Sequence, residues 1–270
     1  MQEQSHYAVG IDIGTKKVRC VIGHIDETMG VPRIIGVGQA PNSGMRKGVI
    51  THLNGPAAAI DTALDAAERM SGHRVNQAAL GTNGVHIIST KVDGMVAVNA
   101  SSSEVTEDDV ARLENVATVG KVPANREILE VVPYEYRLDG QDNIKNPIGM
   151  TGTRLELRAN VVSGLVPHLG NLHKLAEMSN IDAVRIVPTV LASAQAVLNE
   201  SQMENGVAVI DIGASTTGVA VFEEGDLQHL SVVPMGSQNV TNDLAIGLKV
   251  DLEIAEKVKL QHGELGGETT

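Results

Sequence analysis

One motif occurs twice in this chain. Residues 8–14 read AVGIDIG and residues 208–213 read AVIDIG. Each is an apolar run that ends in Asp-Ile-Gly and passes through Lys, Thr or Ser. Each then enters a second apolar run, VRCVIG at 18–23 and GVAVFEEG at 218–225. Asp12 and Asp211 stand about 200 residues apart, far beyond the roughly 20–50-residue period of solenoid repeats. The spacing predicts a duplicated domain, each half opening with a strand–turn–strand hairpin.

Such a turn has a specific chemistry. Glycine lets the backbone come close to a ligand. The N–H groups that follow it form a concave nest suited to phosphate oxygens. The aspartate can hold Mg²⁺, chiefly through the water that this ion releases reluctantly. One Asp-x-Gly turn is an ordinary hairpin; two in matching context predict a triphosphate and its metal gripped between two lobes. The candidate metal residues are Asp12 and Asp211. The candidate phosphate residues are Gly14, Thr15, Lys16 and Lys17 in the first turn and Gly213, Ala214, Ser215 and Thr216 in the second, the lysines adding positive charge.

Between the turns, PRIIGVGQ at 32–39 reads as a third strand, followed by the loop SGMRKGVI at 43–50. A helix is predicted over about 56–70, capped by Asn54, with Ile60, Ala63, Leu64 and Ala67 on one face. Residues 76–81 read as a buried strand. The texture then changes. VHIISTKV and GMVAVNA read as a strand pair folded about Asp93-Gly94. Thr106 caps a helix, with Asp109 in the capping-box position and Val110, Leu113 and Val116 inward. Residues 126–138 and 153–165 alternate as half-buried strands. This block is an insertion, since an α/β pattern resumes with a helix at 167–179, a strand at 183–188 and a helix at 188–199. After the second hairpin come helices near 239–248 and 252–262, the latter capped by Asp251.

Composition narrows the function. The net charge of −12 argues against a nucleic-acid binder, which needs a basic footprint. A single cysteine, Cys20, can form neither an internal disulfide nor a zinc site, and fits a reducing cytoplasmic compartment and a core position. No run of about 18 apolar residues could span a membrane, and the first ten residues lack a signal-peptide pattern. The histidines show no metal spacing. With no Trp and one Phe, the core must be aliphatic.

The two turns resemble the phosphate loops of the actin-like ATPase superfamily. More narrowly, VGIDIGTKKVRCVIG (9–23), SGMRKGVI (43–50), LDGQDNIKNPIGMTGTRLEL (138–157), LASAQAVL (191–198), VAVIDIGASTTGVAVFEEGDL (207–227), NVTNDLAIGL (239–248) and AEKVKLQHG (255–263) resemble the FtsA family of bacterial division proteins. The resemblance implies an α/β, actin-like, ribonuclease-H-like duplicated fold with an inserted α+β subdomain of SHS2 type. It implies a first lobe at 1–84 plus 165–199, the insertion at 85–164, and the start of a second lobe at 200–270. It implies ATP and Mg²⁺ as cofactors, with Gly236, Glu256 and Lys259 on the nucleotide, the last two as a Glu-x-x-Lys pair three apart on one helix face.

Some residues depart from the family pattern. The second loop reads GASTTG, with Gly218 where an acidic or amide side chain is expected, and Gly236-Ser237 replaces a Gly-Gly pair. Val187 stands where many superfamily members carry a glutamate that positions the attacking water. Gln195 is a candidate substitute for that glutamate, the catalytic residue being otherwise unassigned, in a scaffold that is at most a weak ATPase. The implied partners are FtsZ and other division proteins, with self-association into filaments at the cytoplasmic face of the division septum. The resemblance implies longer members, so an outer second-lobe subdomain and a membrane-binding C-terminal helix are expected beyond this chain. A PilM-like pilus adaptor shares the inserted block and is the first alternative. A sugar-kinase-type phosphotransferase is the second, but no further carboxylate stands out as its base.

Overall fold

A computed structural model of the chain describes residues 6–25, 32–98 and 103–264. The first hairpin is β1 (His6–Ile13) and β2 (Lys17–Ile25), followed by β3 (Arg33–Pro41), a small hairpin of β4 (Met45–Arg46) and β5 (Val49–Ile50), helix α1 (Asn54–Ser71) and β6 (Gln77–Thr82). The predicted insertion comprises β7 (Ile88–Ala97), α2 (Glu107–Thr118), β8 (Arg126–Leu138), β9 (Gln141–Ile144) and β10 (Arg154–Leu165). Then come α3 (Val166–Met178), β11 (Asp182–Pro188), α4 (Thr189–Val197) and α5 (Glu200–Asn205). The second hairpin is β12 (Val207–Ile212) and β13 (Thr217–Glu223), with β14 (Asp226–Val233), α6 (Ser237–Leu248) and α7 (Leu252–His262) completing the order.

The first sheet runs β11-β6-β1-β2-β3, with β1, β2 and β3 antiparallel and β6 and β11 parallel to β1. Alternation along β1 and β2 places Ile11, Ile13, Val18, Cys20 and Ile22 in one core with α1 and α3. Burial pushes the Cys20 thiol up to about 11, as expected of an inert core cysteine. Helix α1 lies against β3 so closely that a methyl on Gly36 would fall 2.5 Å from the Ala67 carbonyl oxygen, and one on Gly38 1.8 Å from that of Ala63. The cap of α1 differs from expectation: Leu53 takes the N-cap position without a side-chain bond, and Asn54 is already helical. Asp251 does precede α7 as its N-cap, again without a side-chain bond.

The expected hairpin at Asp93-Gly94 does not form. β7 runs unbroken from Ile88 to Ala97 along β10, in a sheet of order β7-β10-β8-β9. Gly94 serves packing instead: its missing side chain admits Ala117 of α2, whose Cβ would meet a methyl there at 2.7 Å. The Thr106 capping box is present, the hydroxyl accepting from the Asp109 N–H and the Asp109 carboxylate accepting from the Thr106 N–H. The inward face of α2 is set by Leu113 and Ala117, with Val116 turned out at 48% exposure. The chain enters and leaves the insertion side by side, Ile88 pairing with Ser163.

That junction is polar and buried. Arg126 donates to the His86 carbonyl oxygen, the Ser163 carbonyl oxygen and the Ser163 hydroxyl. The Leu165 N–H donates to His86 Nδ1 at 3.3 Å, and the His86 ring stacks on His168 at 4.7 Å. Burial, His168 and Arg126 together lower His86 from 6.5 to about 4. A histidine that is neutral in the fold but protonates near 6.5 when unfolded supplies stability above that pH, and this is lost as pH falls toward 4. The loss amounts to about 3 kcal/mol. Urea midpoints between pH 7 and 4.5 are therefore expected to fall more steeply for the native chain than for His86→Gln, which can still accept the bond but does not titrate; parallel curves would refute the assignment.

The second hairpin forms a three-stranded antiparallel sheet, β12-β13-β14. Its inner face joins α4 and the insertion in one core of Val190, Leu191, Ala194, Phe222, Leu227 and Leu230 with Ile87 and Val162. Polar bonds reinforce the contact: the Ser89 hydroxyl donates to the Leu230 carbonyl oxygen and accepts from its N–H, Asn160 donates to the Leu227 carbonyl oxygen, and Lys145 bonds Asp226 and the Glu224 carbonyl oxygen. Among the described residues the other face is uncovered at Ile210 and Ile212. Ile210 and Ile212 are 60% and 67% exposed, where their counterparts Ile11 and Ile13 are 1% and 2% exposed beneath helices. Among the described residues no strand pairs with the outer edge of β12.

Candidate functional site

The two turns are built alike. The Gly14 N–H donates to the Lys17 carbonyl oxygen at 3.1 Å, and the Gly213 N–H to that of Thr216 at 2.9 Å. A methyl on either glycine would strike that same oxygen, at 2.8 and 2.9 Å respectively. The turn tips meet: the Thr15 and Ser215 hydroxyls are hydrogen-bonded at 2.7 Å. Between the hairpins lies a cleft of about 850 Å³, within the range of small-molecule sites.

Asp12 and Asp211 both line this cleft, near enough for the Asp211 charge to act on Asp12. Asp12 accepts from the Thr189 hydroxyl at 3.3 Å and pairs with Arg19 at 3.5 Å. Burial raises its carboxyl above the usual range; Arg19 and Thr189 oppose the rise, and the neighbouring Asp211 charge adds to it. A desolvated carboxylate with a second one beside it makes a place where a divalent cation is favoured. Among the described residues no cluster of three His, Cys, Asp or Glu could hold a metal. Two carboxylates alone suit Mg²⁺, which keeps most of its water.

The opposite wall is α6 and α7. The Glu256 carboxylate accepts from Lys259 at 2.7 Å and from the Thr241 hydroxyl at 2.5 Å, and these bonds, Lys259 first, hold it below the usual range. Lys259 also donates to Thr241 at 3.0 Å. The N-terminus of α6 is stitched onto the second turn, the Ser237 N–H donating to the Gly213 carbonyl oxygen and the Gln238 N–H to that of Ala214. Gly236 permits this approach, since a methyl there would lie 2.5 Å from the Gly213 oxygen.

Of the residues singled out by sequence, Asp12, Gly14, Thr15, Lys16, Lys17, Asp211, Gly213, Ala214, Thr216, Glu256 and Lys259 all line the cleft. Ser215 joins them through its bond to Thr15, and Gly236 lies directly behind the second turn. Gln195 does not: it is exposed on α4, outside the cleft lining, because helical phase turns Val190, Leu191 and Ala194 inward. The loop at 43–50 reaches the cleft through Gly48 and not through Arg46 or Lys47. Sequence reasoning missed Asn83, Thr189 and Thr241. Thr189 was findable, since it follows a parallel strand at the start of a helix, where α/β sheets bind ligands.

The residues present therefore fit a magnesium nucleotide: two carboxylates and two glycine turns lining one cleft, with a Glu–Lys–Thr cluster on α6 and α7. A family model described as "SHS2 domain inserted in FTSA" matches residues 84–163, and one described as "Cell division protein FtsA" matches residues 208–269. Cell division protein FtsA of Pseudomonas aeruginosa is 35% identical over 254 residues, covering 94% of this chain and 60% of that protein. That of Bacillus subtilis is 37% identical over 256 residues, covering 94% and 58%. The chain thus spans about 60% of the length of the curated relatives it matches. Among solved structures, a PilM-PilN type IV pilus biogenesis complex matches with a TM-score of 0.68 at 15% identity, covering 95% of this chain and 70% of that one. MreB5 of Spiroplasma citri bound to ADP matches with a TM-score of 0.51 at 13% identity, covering 98% and 65%. These structural likenesses establish the actin-like fold.

Proposed function

The chain belongs to the FtsA family of cell-division proteins, and we propose that it supplies the nucleotide-binding part of an actin-like division scaffold. In this reading ATP and Mg²⁺ occupy the cleft. Asp12 and Asp211 hold the ion through its water, the N–H groups that follow Gly14 and Gly213 cradle the phosphates, and Lys16 and Lys17 add charge. Glu256 and Lys259 meet the nucleoside. The ion, when bound, offsets the phosphate charge that two aspartates would otherwise repel. Residues 1–84 with 165–199 form the first lobe, 85–164 the insertion and 200–270 the start of the second.

The wider role is that of a scaffold which self-associates at the division ring and connects FtsZ to the cytoplasmic face of the membrane, with ATP hydrolysis weak at most. Sequence relatives at 34–37% identity are division proteins, whereas the pilus-complex likeness rests on fold alone. Among the described residues no helix is long and apolar enough to cross a membrane.

The observation that carries the reading is the meeting of two like-built turns, with both their aspartates lining one cleft. Calorimetric titration with Mg-ATP is expected to show saturable binding that excess EDTA abolishes. Absence of binding at millimolar ATP, or binding indifferent to EDTA, would sink it.

A further inference from the structure

At the floor of the cleft, Asn83 stands where β6 leaves the first lobe for the insertion. Its backbone is pinned by Gly48, on which a methyl would lie 2.3 Å from the Asn83 carbonyl oxygen. Its side chain crosses to the second hairpin. Gly218 pairs with Asp211, so a side chain at 218 would project on the same face as the Asp211 carboxylate. That space is already filled: a Cβ on Gly218 would fall 2.8 Å from the Val190 Cβ of the core, 2.9 Å from Asn83 Oδ1 and 3.1 Å from its Nδ2. The amide therefore sits where a side chain on Gly218 would sit, delivered from the other lobe.

The amide is also uncommitted on its oxygen. Asn83 Oδ1 is buried and has no hydrogen-bond partner, a costly state for a native polar atom. On the first-lobe side, Gly81 two residues earlier brings the strand against the first aspartate. A Cβ there would lie 3.3 Å from the Thr189 hydroxyl and 3.5 Å from Asp12 Oδ1. The neighbouring polar groups are two carboxylates, the Arg19 guanidinium, which only donates and is paired with Asp12, and a threonine hydroxyl already given to Asp12. A neutral amide is the group there that can donate to a phosphate oxygen and accept from metal-bound water at once.

We infer that Asn83 is a specificity-determining residue that reads the terminal phosphate and its metal's water, so that it favours a nucleoside triphosphate over a diphosphate. The inference rests on the nucleotide reading above. A packing role alone would move both affinities together; a role at the terminal phosphate moves one. A hydrogen bond to a charged group accounts for about a tenfold change in affinity or somewhat more.

The test measures Mg-ATP and Mg-ADP affinities by calorimetry on the full chain. Asn83→Ala is expected to weaken Mg-ATP about tenfold while shifting Mg-ADP by less than about twofold. Asn83→Ser, a smaller perturbation, serves if thermal unfolding shows that alanine disrupts the fold. An unchanged ATP-to-ADP ratio in folded variants of a chain that binds both nucleotides overturns this inference alone. A native chain that binds neither overturns the nucleotide reading, and the inference with it.

Discussion

Asparagine in place of Asp12 is expected to weaken Mg-ATP binding by roughly a hundredfold, ~2.7 kcal/mol, while leaving the fold as stable or more so. The two effects have one origin. Burial raises the Asp12 carboxyl, and the neighbouring Asp211 charge raises it further. An acid whose value is raised in the folded state contributes stability at low pH and loses it as pH rises through that value. At neutral pH the charged side chain is thus a standing cost in the free protein, one that a bound cation removes. The isosteric amide keeps the Thr189 hydroxyl as a neighbour and removes the repulsion, but gives the ion no charge to meet. Activity and stability should move in opposite directions, as at other strained functional sites. Calorimetry and urea unfolding on one preparation check both; affinity within threefold of native would mean that the metal nucleotide does not sit between the aspartates.

Gly38→Ala is expected to destabilise the chain by at least ~3 kcal/mol, the high end of what overpacking costs. The added methyl would lie 1.8 Å from the Ala63 carbonyl oxygen, an atom fixed within the hydrogen-bonded body of α1, so the helix must lift from β3. That would open the core that buries Ile60, Ala63 and Ala67 against Ile22 and Cys20. Gly36→Ala, with its contact at 2.5 Å, should cost less. Gly170→Ala is the contrast: no atom lies within 4 Å, and its place inside α3 predicts a gain of up to ~1 kcal/mol. Equal urea midpoints for Gly38→Ala and Gly170→Ala would refute the account.

The same contrast shows what the sequence could reveal. The Asp-Ile-Gly turns were legible because their chemistry is local: the glycine, the aspartate and the turn N–H groups lie within a few consecutive residues. The Thr106 capping box was legible for the same reason. Asp93-Gly94 misled, since a dipeptide that suits a tight turn was retained to admit Ala117 from a helix more than twenty residues away. Gln195 misled because the position of its helix was foreseen but not the rotation that points Val190, Leu191 and Ala194 inward. Asn83 was invisible for a different reason: its place over Gly218 depends on how two lobes meet, and neither segment encodes that alone.

The bare face of β12 bears on how this chain behaves at high concentration. An unpaired strand edge is a template for another strand; among the described residues the outer edge of β12 is one, and Ile210 and Ile212 lie on that same strand. With an apolar edge of this kind, colloidal stability rests on the repulsion of a net charge of −12. That repulsion reaches only about 8 Å at physiological ionic strength and shortens as salt is added. The protein should accordingly be most dispersed in dilute buffer above neutral pH, and salting it would bring β12 edges within reach of one another.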